Sequence, residues 1–399
     1  MDNHYEEIST KSWGKSLKES LQGLMIAPLL IIFSIILLYH NEGRINLSKV
    51  AQKAIQISNK EINKNPEIEG KLVSTTGLVQ INEKIGGYKF LKQGEYLAIK
   101  RTVMMYSWKE IQNSKTTTTL KGEKITKQIY DYKKQWVENP QNSSSFKITN
   151  GHINSEKTIP DFTKTTEKAL LGIYNIDLSS IILPTFNPLK LNEQNIDLPE
   201  NSSASQTPNQ IKTIIYSTTP IKNTDYIFIS NDGQSSIDNP KIGDFRIYYS
   251  VLPVNTEYTL MGKLTTEKIV PYYCQDNSTL YRLFKGTKDN AIQVLKQEHK
   301  QISWILRLIS FIMLWIGFLL FLAPILNLLT IIPIFGTITK TVTALATFLI
   351  SILLWISFIL IFMIFHNIIT LIIAISLLIT IVVYTFVYYK KKKKVQLEQ

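Results

Sequence analysis

Residues 341–389 read TVTALATFLISILLWISFILIFMIFHNIITLIIAISLLITIVVYTFVYY, and five lysines, Lys390, Lys391, Lys392, Lys393 and Lys394, follow at once. No Asp, Glu, Lys or Arg interrupts the run. As one α-helix it would be roughly 73 Å long at 1.5 Å per residue, more than twice a hydrocarbon core of about 30 Å. It must fold back, and His366-Asn367 near its middle supplies a polar turn. Two membrane crossings are therefore expected, over residues 341–365 and 368–389.

Working outward, residues 308–339 are equally free of charge. A crossing is expected over 303–323, ended by Pro324. Residues 324–340, interrupted by Pro333 and Gly336, are too short and broken for another and are expected along the interface. Residues 21–39 make a fourth apolar stretch, longer than a signal-peptide core of roughly 7–15 residues and without a small-residue cleavage site after it. It reads as a retained crossing, with Pro28 tolerated as membrane helices allow. Trp13, Leu17, Leu21 and Leu24 recur at helical spacing ahead of it, so residues 1–20 are expected as a cytoplasmic or interfacial N-terminal helix.

Orientation follows from basic residues near span ends. The lysine tail, residues 390–399, is expected in the cytoplasm. With four crossings the N-terminus is also inside, as Lys11, Lys15 and Lys18 allow. Residues 40–302 then form one exoplasmic domain. The fold class is a multi-pass α-helical membrane protein with a large exoplasmic α+β domain rich in β-strands.

The averages over 399 residues conceal this segregation: 45% hydrophobic, 19% charged, net charge +13 and mean hydropathy +0.03. A wholly soluble protein and a pure helix bundle are both excluded. The aromatic and β-branched content of the middle argues against disorder. The single Cys274 excludes an internal disulfide framework and a multi-cysteine metal site. The basic balance fits anionic lipid beside a span better than nucleic acid, since no aromatic-interleaved basic motif accompanies the lysines.

Within the domain, residues 48–59 read as a short amphipathic helix and residues 71–108 as strands. In residues 95–108 both parities are apolar, the pattern of a strand buried on both faces. Residues 128–136 and 245–252 are further strands; residues 139–145 and 184–210 are loops. Residues 165–174 and 278–301 read as helices, the second broken at Gly286.

The search for chemistry is largely negative. No phosphate-binding loop, dinucleotide fingerprint, nucleophile elbow or zinc-protease helix occurs, and no cofactor motif is present. The five histidines, His4, His40, His152, His299 and His366, do not pair at ligand spacing. His152 after Gly151 reads as a structural turn histidine, and the carboxylates as solvated surface. Asn46, Asn142, Asn201 and Asn277 begin glycosylation sequons, which chance explains equally well in so Asn- and Ser-rich a chain. Within the expected crossings Arg307 lies at a span start, where snorkelling suffices, and Asn327 falls in the interfacial piece. An ion-coupled transporter is disfavoured accordingly.

Several patches nevertheless stand in a recognisable order. They are Asn41-Glu42-Gly43-Arg44; Glu69 to Val73; Arg101 with Val103, Met105, Tyr106, Trp108 and Glu110; Tyr130, Tyr132 and Trp136; Phe146; Gly151-His152; Asn239-Pro240 with Gly243-Asp244 and Arg246; and Trp304 with Arg307. Together they resemble the LUMA family of transmembrane proteins over essentially the whole chain. The family has Asn-Pro after its Gly-His, where this chain has Asn154-Ser155. The resemblance implies four spans and a large exoplasmic domain. It also implies a non-enzymatic scaffold or envelope organiser, with membrane lipids, other membrane proteins and a second copy as partners and no nucleic acid. Eukaryotic members are associated with the endoplasmic reticulum and inner nuclear membrane; a bacterial member would lie in the inner membrane. Competing readings are a lipid- or envelope-stress-related ligand-binding protein and, third, a membrane-surface hydrolase. On the residues alone, Trp108 and Trp136 are core aromatics and Gly243-Asp244 is a turn into the strand of Arg246; Glu42 either docks onto an arginine such as Arg246 or is solvated while Arg44 snorkels.

Overall fold

The computed structural model describes residues 3–60, 66–87, 90–119, 123–192, 194–197, 225–231, 235–265, 268–329 and 336–366, with scattered positions up to 380. The crossing expected over 368–389 lies almost wholly outside these, and the lysine tail and Asn201 lie outside altogether. The chain divides into two compact units. The first comprises Met1–Ile8, Asn46–Lys115 and Lys127–Lys296; the second comprises Ser9–Ile45, Thr116–Thr126 and Gln297–Gln399.

Strands dominate the first unit. In chain order they are β1 (His4–Lys11), β2 (Ile55–Gln56), β3 (Leu72–Ile81), β4 (Ile85–Gly87), β5 (Leu91–Gly94), β6 (Tyr96–Thr118), β7 (Lys124–Val137), β8 (Phe162–Thr165) and β9 (Ala169–Leu171). They continue as β10 (Tyr174–Ile176), β11 (Asn187–Pro188), β12 (Ile227–Ile229), β13 (Phe245–Pro253), β14 (Glu257–Thr265), β15 (Lys268–Val270), β16 (Tyr272–Tyr273), β17 (Thr279–Leu280) and β18 (Arg282–Lys285). Among the described residues two seven-stranded sheets form. One runs β1-β7-β6-β13-β11, with β12 on β13 and β8 on β6. The other runs β10-β9-β3-β14-β15, with β18 on β14 and β2 parallel to β3.

Alternation explains the first sheet. In β13, Phe245, Ile247, Tyr249 and Val251 are buried, and Phe245 and Ile247 sit opposite Met105 and Val103 of β6. With Ile85, Ile99 and Leu191 they form one core. Each such side chain contributes about 1.5–3 kcal/mol on burial. The second core gathers Val73, Leu97, Leu171, Tyr174, Leu260 and Leu283 around the other sheet.

Several expectations are corrected. Residues 1–20 are not one helix: His4–Lys11 is strand β1, paired with β7, and helix α1 (Trp13–Gly43) begins after the Ser12 N-cap. The helical spacing starts only at Trp13, and the polar residues before it alternate along an edge strand. Residues 165–174 are strand and turn. Ala169 and Leu171 are buried at period two, and Gly172 at φ 62° turns the chain into β10. Residues 278–285 hold β17 and β18, and the helix α3 (Lys288–Leu329) begins after Gly286, whose φ of 78° breaks the chain direction. The helix expected over 48–59 is shorter, α2 (Leu47–Gln52).

The second unit is helical. Helix α3 continues through Pro324 to Leu329, so no helix end falls at Pro324. A proline costs a helix one hydrogen bond, a loss that long membrane helices absorb. Helix α4 (Gly336–Phe365) contains the expected span, and its membrane-competent stretch is Thr341–Phe365. Among the described residues three helices, α1 with its continuation, α3 and α4, are long and apolar enough to cross a membrane. Helices α1 and α3 run antiparallel, as their contacts at both ends and the middle show. Trp13 Nε1 donates to the Asn327 carbonyl at 2.8 Å, Ser34 Oγ to the Ser310 carbonyl at 2.8 Å, and Asn41 Nδ2 to the Ser303 carbonyl at 3.3 Å. Asn327 is therefore buried between helices: its Nδ2 reaches the Ser16 carbonyl at 3.3 Å. Gly317 brings the two backbones close, because a Cβ there would press on Ile31.

Candidate functional site

Two clusters collect the residues singled out above, one in each unit. In the second unit Asn41, Glu42, Gly43 and Arg44 close the C-terminal end of α1. Glu42 accepts from Arg307 Nε at 2.8 Å and Nη2 at 2.7 Å, a bidentate ion pair whose carboxylate side chain is only 5% exposed. Glu42 thus pairs with Arg307, not Arg246, and Arg307 is bound rather than snorkelling. Sequence spacing offers no means of matching residues 265 apart. Asn41 also donates to Glu42 at 3.0 Å. Trp304 packs on the Arg307 guanidinium at 5.2 Å, and Trp355 of α4 donates to the Arg307 carbonyl at 2.9 Å. Gly43 faces His366, and any Cβ there would overlap the imidazole. Arg44 Nη2 reaches the His299 carbonyl at 3.1 Å, His299 Nδ1 at 3.4 Å and Ser303 Oγ at 3.1 Å.

In the first unit, residues of even number in β6, β7, β12 and β13 share one face of the first sheet, opposite its core. Arg246 is sandwiched between Trp136 at 4.2 Å and Tyr226 at 4.7 Å. Tyr106 meets Trp136 at 5.2 Å and Phe228 lies beyond it at 6.3 Å. Further along the same face Tyr130, Tyr132, Trp108 and Phe146 form a small buried cluster. His152, 1% exposed, stacks on Tyr132 at 3.9 Å and meets the edge of Trp108 at 4.7 Å. Its Nδ1 faces the Ile148 carbonyl and its Nε2 faces Asn3 Oδ1, each at 3.2 Å. Gly151 at φ 82° makes the turn that delivers it.

Two carboxylates of the family patches, Asp244 and Glu110, serve the backbone. Asp244, fully buried, accepts from the amides of Asn231 at 2.9 Å and Lys241 at 2.6 Å, while Gly243 at φ 96° forms the turn before it. Glu110 accepts from Tyr132 Oη at 2.7 Å and the Lys147 amide at 2.6 Å. Burial, and then this carboxylate, push the Tyr132 phenol up to about 12. Arg101 stands apart from both clusters, donating to the Pro160 carbonyl at 3.1 Å and lying over Phe162 at 4.3 Å. Asn154 stands out in the sequence only beside Ser155, where the family has Asn-Pro. It brackets Trp108, accepting from its amide at 2.6 Å and donating to its carbonyl at 2.9 Å. The departure from Asn-Pro thus retains a turn whose asparagine is structural. Among the described residues no group of three or more His, Cys, Asp or Glu is arranged to hold a metal.

A family model described as Transmembrane protein 43 matches residues 105–368, about two thirds of the chain. The chain belongs to the Transmembrane protein 43 family. It is thus an integral membrane protein of the LUMA group that its motifs resemble. The Transmembrane protein 43 of Rattus norvegicus is 22% identical over 340 residues, 80% of this chain and 78% of that protein. The proteins of that name from Mus musculus and Homo sapiens match at the same identity and coverage. No solved structure matches. The family segment contains Trp108, His152, Asp244, Arg246 and Arg307; Asn41–Arg44 precede it, and the fold joins them to it through Arg307.

Proposed function

We propose that this chain is a non-enzymatic membrane organiser: a strand-rich exoplasmic domain held at the bilayer by crossing helices and presented to other membrane proteins. One observation carries the reading. The polar residues that mark the family are each engaged in holding the fold: Asp244 and Glu110 accept backbone amides, and His152 is sandwiched with both ring nitrogens at hydrogen-bonding distance. Such side chains build a platform rather than turn over a substrate. Four crossings, α1, α3, α4 and residues 368–389, with both termini cytoplasmic, accord with the lysine tail. The compartment follows the source: inner membrane in a bacterium, endoplasmic reticulum or inner nuclear membrane in a eukaryote.

A second arrangement has one observation in its favour. Strand β1 pairs with β7, and a strand bonded into the domain's sheet lies on the domain's side of a bilayer. A cysteine at Glu7, in a chain with Cys274 replaced by Ser, separates the two. Protection from an impermeant maleimide in intact cells supports a cytoplasmic N-terminus, and labelling supports the paired arrangement.

The organiser reading itself is tested by cross-linking in native membranes, followed by mass spectrometry on wild type and on Arg246→Ala. Distinct membrane proteins joined to the domain support it. A defined turnover reaction lost in His152→Ala, Asp244→Ala or Glu110→Ala with folding intact contradicts it.

A further inference from the structure

Three of the five histidines of the chain, from three different helical segments, meet around the Asn41–Arg44 turn. His40 ends α1, His299 lies in α3 and His366 directly follows α4. Tyr39 links two of them, with ring centroids 5.7 Å from His40 and 4.6 Å from His366. His299 lies against Arg44. Its Nδ1 faces an Arg44 N–H at 3.4 Å and must accept there, which makes Nε2 the protonated, donating nitrogen of the neutral ring.

Arg44, unlike Arg307, has no carboxylate partner among the described residues, although Glu298 and Lys300 flank His299 in sequence. Glu42 is saturated by Arg307 in a bidentate pair. Arg44 contacts only neutral acceptors, and among the described residues no carboxylate lies within ion-pair distance of it. Its Nε is buried without a partner. Lys300, exposed, follows His299 on α3. A guanidinium flanked by imidazoles and an ammonium suits an anion with several acceptor oxygens. Immediately below, the same helices expose Ile32, Phe33 and Ile36 of α1, and Trp304, Ile305 and Leu308 of α3. An anion there is therefore one carried on an apolar chain.

We propose that Arg44, with His299, His40, His366 and Lys300 around it, forms a site for the phosphate of an anionic phospholipid headgroup. The site deepens the membrane-organiser reading and rests on it only in taking α1 and α3 as crossing helices. Anionic phosphatidylglycerol would be held over zwitterionic phosphatidylcholine, fixing a lipid at the groove between helices.

Full-length protein in nanodiscs of phosphatidylcholine with one fifth phosphatidylglycerol, released into native mass spectrometry, gives the test. Wild type should retain phosphatidylglycerol at least threefold above its share of the disc. Arg44→Gln should bring the ratio back to that share. If Arg44→Gln misfolds, Lys300→Gln with His40→Gln, both exposed, should at least halve the enrichment. Retention at the bulk share in wild type, or unchanged enrichment in the substituted proteins, overturns the site. Loss of the lipid to millimolar inorganic phosphate would show a free-anion site and overturns it too. The underlying reading fails separately: a spin label at Leu308 in contact with water rather than lipid would deny α3 its crossing, whatever lipids are retained.

Discussion

Removing the Glu42 carboxylate should loosen the pairing of α1 and α3 far more than removing the whole ion pair. At 2.7 Å and an effective dielectric near 20, the two charges attract by about 6 kcal/mol. Withdrawing both from water offsets much of that, so the intact pair contributes little relative to a well-packed apolar pair. Glu42→Ala is different, because Arg307 keeps its burial, with a side chain only 17% exposed, and loses both acceptors. Such a truncation costs about 3–5 kcal/mol. The lower end is expected here, since a long arginine side chain can swing its charged head toward more polar surroundings. Glu42→Leu with Arg307→Leu should lie within about 1 kcal/mol of wild type. Equilibrium unfolding in mixed micelles, followed by a fluorophore pair on α1 and α3, compares wild type with the single and the double variant. A Glu42→Ala cost below about 1 kcal/mol, or a double variant as weak as the single, would refute this account of the clasp.

Other consequences concern the first unit and the turn. The ion pairs of β1 respond to pH in opposite senses. Hydrogen bonds to Asp131 and then Glu6 raise the His4 pKa above 6.5, so that contribution is complete below about pH 6.5 and disappears as pH rises through the raised value. Bonds from Lys127 and then His4 lower the Glu6 pKa below 4.5, so its contribution is complete above about 4.5 and is lost as pH falls through the lowered value. Strand β1 should accordingly be best protected from hydrogen exchange between about pH 4.5 and 6.5, once intrinsic rates are corrected; equal protection at pH 5.5 and 8.5 would count against the pairing. Tyr132→Phe strips a partner from Glu110 and from the Ile148 amide and should cost the domain about 1–3 kcal/mol in urea unfolding, with no loss if water replaces the hydroxyl. Gly43→Val displaces His366 from Tyr39 and should cost about 1 kcal/mol, clearly less than Glu42→Ala in the same micelle assay.

How much of this was legible depends on the range of each interaction. The crossings follow from composition alone, because hydrocarbon admits few charges, and β6 and β13 follow from alternation. Residues 165–174 and 278–285 deceived because short apolar segments fit either period. Their strand state is decided by pairing partners outside the segment: β3 for β9, with Leu171 opposite Val79, and β14 for β18, with Lys285 opposite Tyr258. The turn Asn41–Arg44 was visible as a motif, but its partners Arg307, Ser303 and His299 are set by the antiparallel docking of α1 on α3. Pro324 suggests a helix stop in the sequence, and only packing of Asn327 against Trp13 and Ser16 shows the helix continuing. The gathering of Tyr106, Trp136 and Arg246 on one face follows from register, Arg246 lying opposite Met104, which no spacing within one strand reveals.

The central claim is that a strand-rich exoplasmic domain is carried by helices whose C-terminal tail stays in the cytoplasm. Impermeant maleimide labelling of intact cells tests it most directly, using cysteines at Asn277 and at Gln399 in a chain with Cys274 replaced by Ser. Asn277 sits exposed at a turn with φ 62°, so burial cannot mask the outcome. The account predicts that the cysteine at 277 is labelled at once and the one at 399 only after permeabilisation. Labelling at 399 with protection at 277 would contradict it.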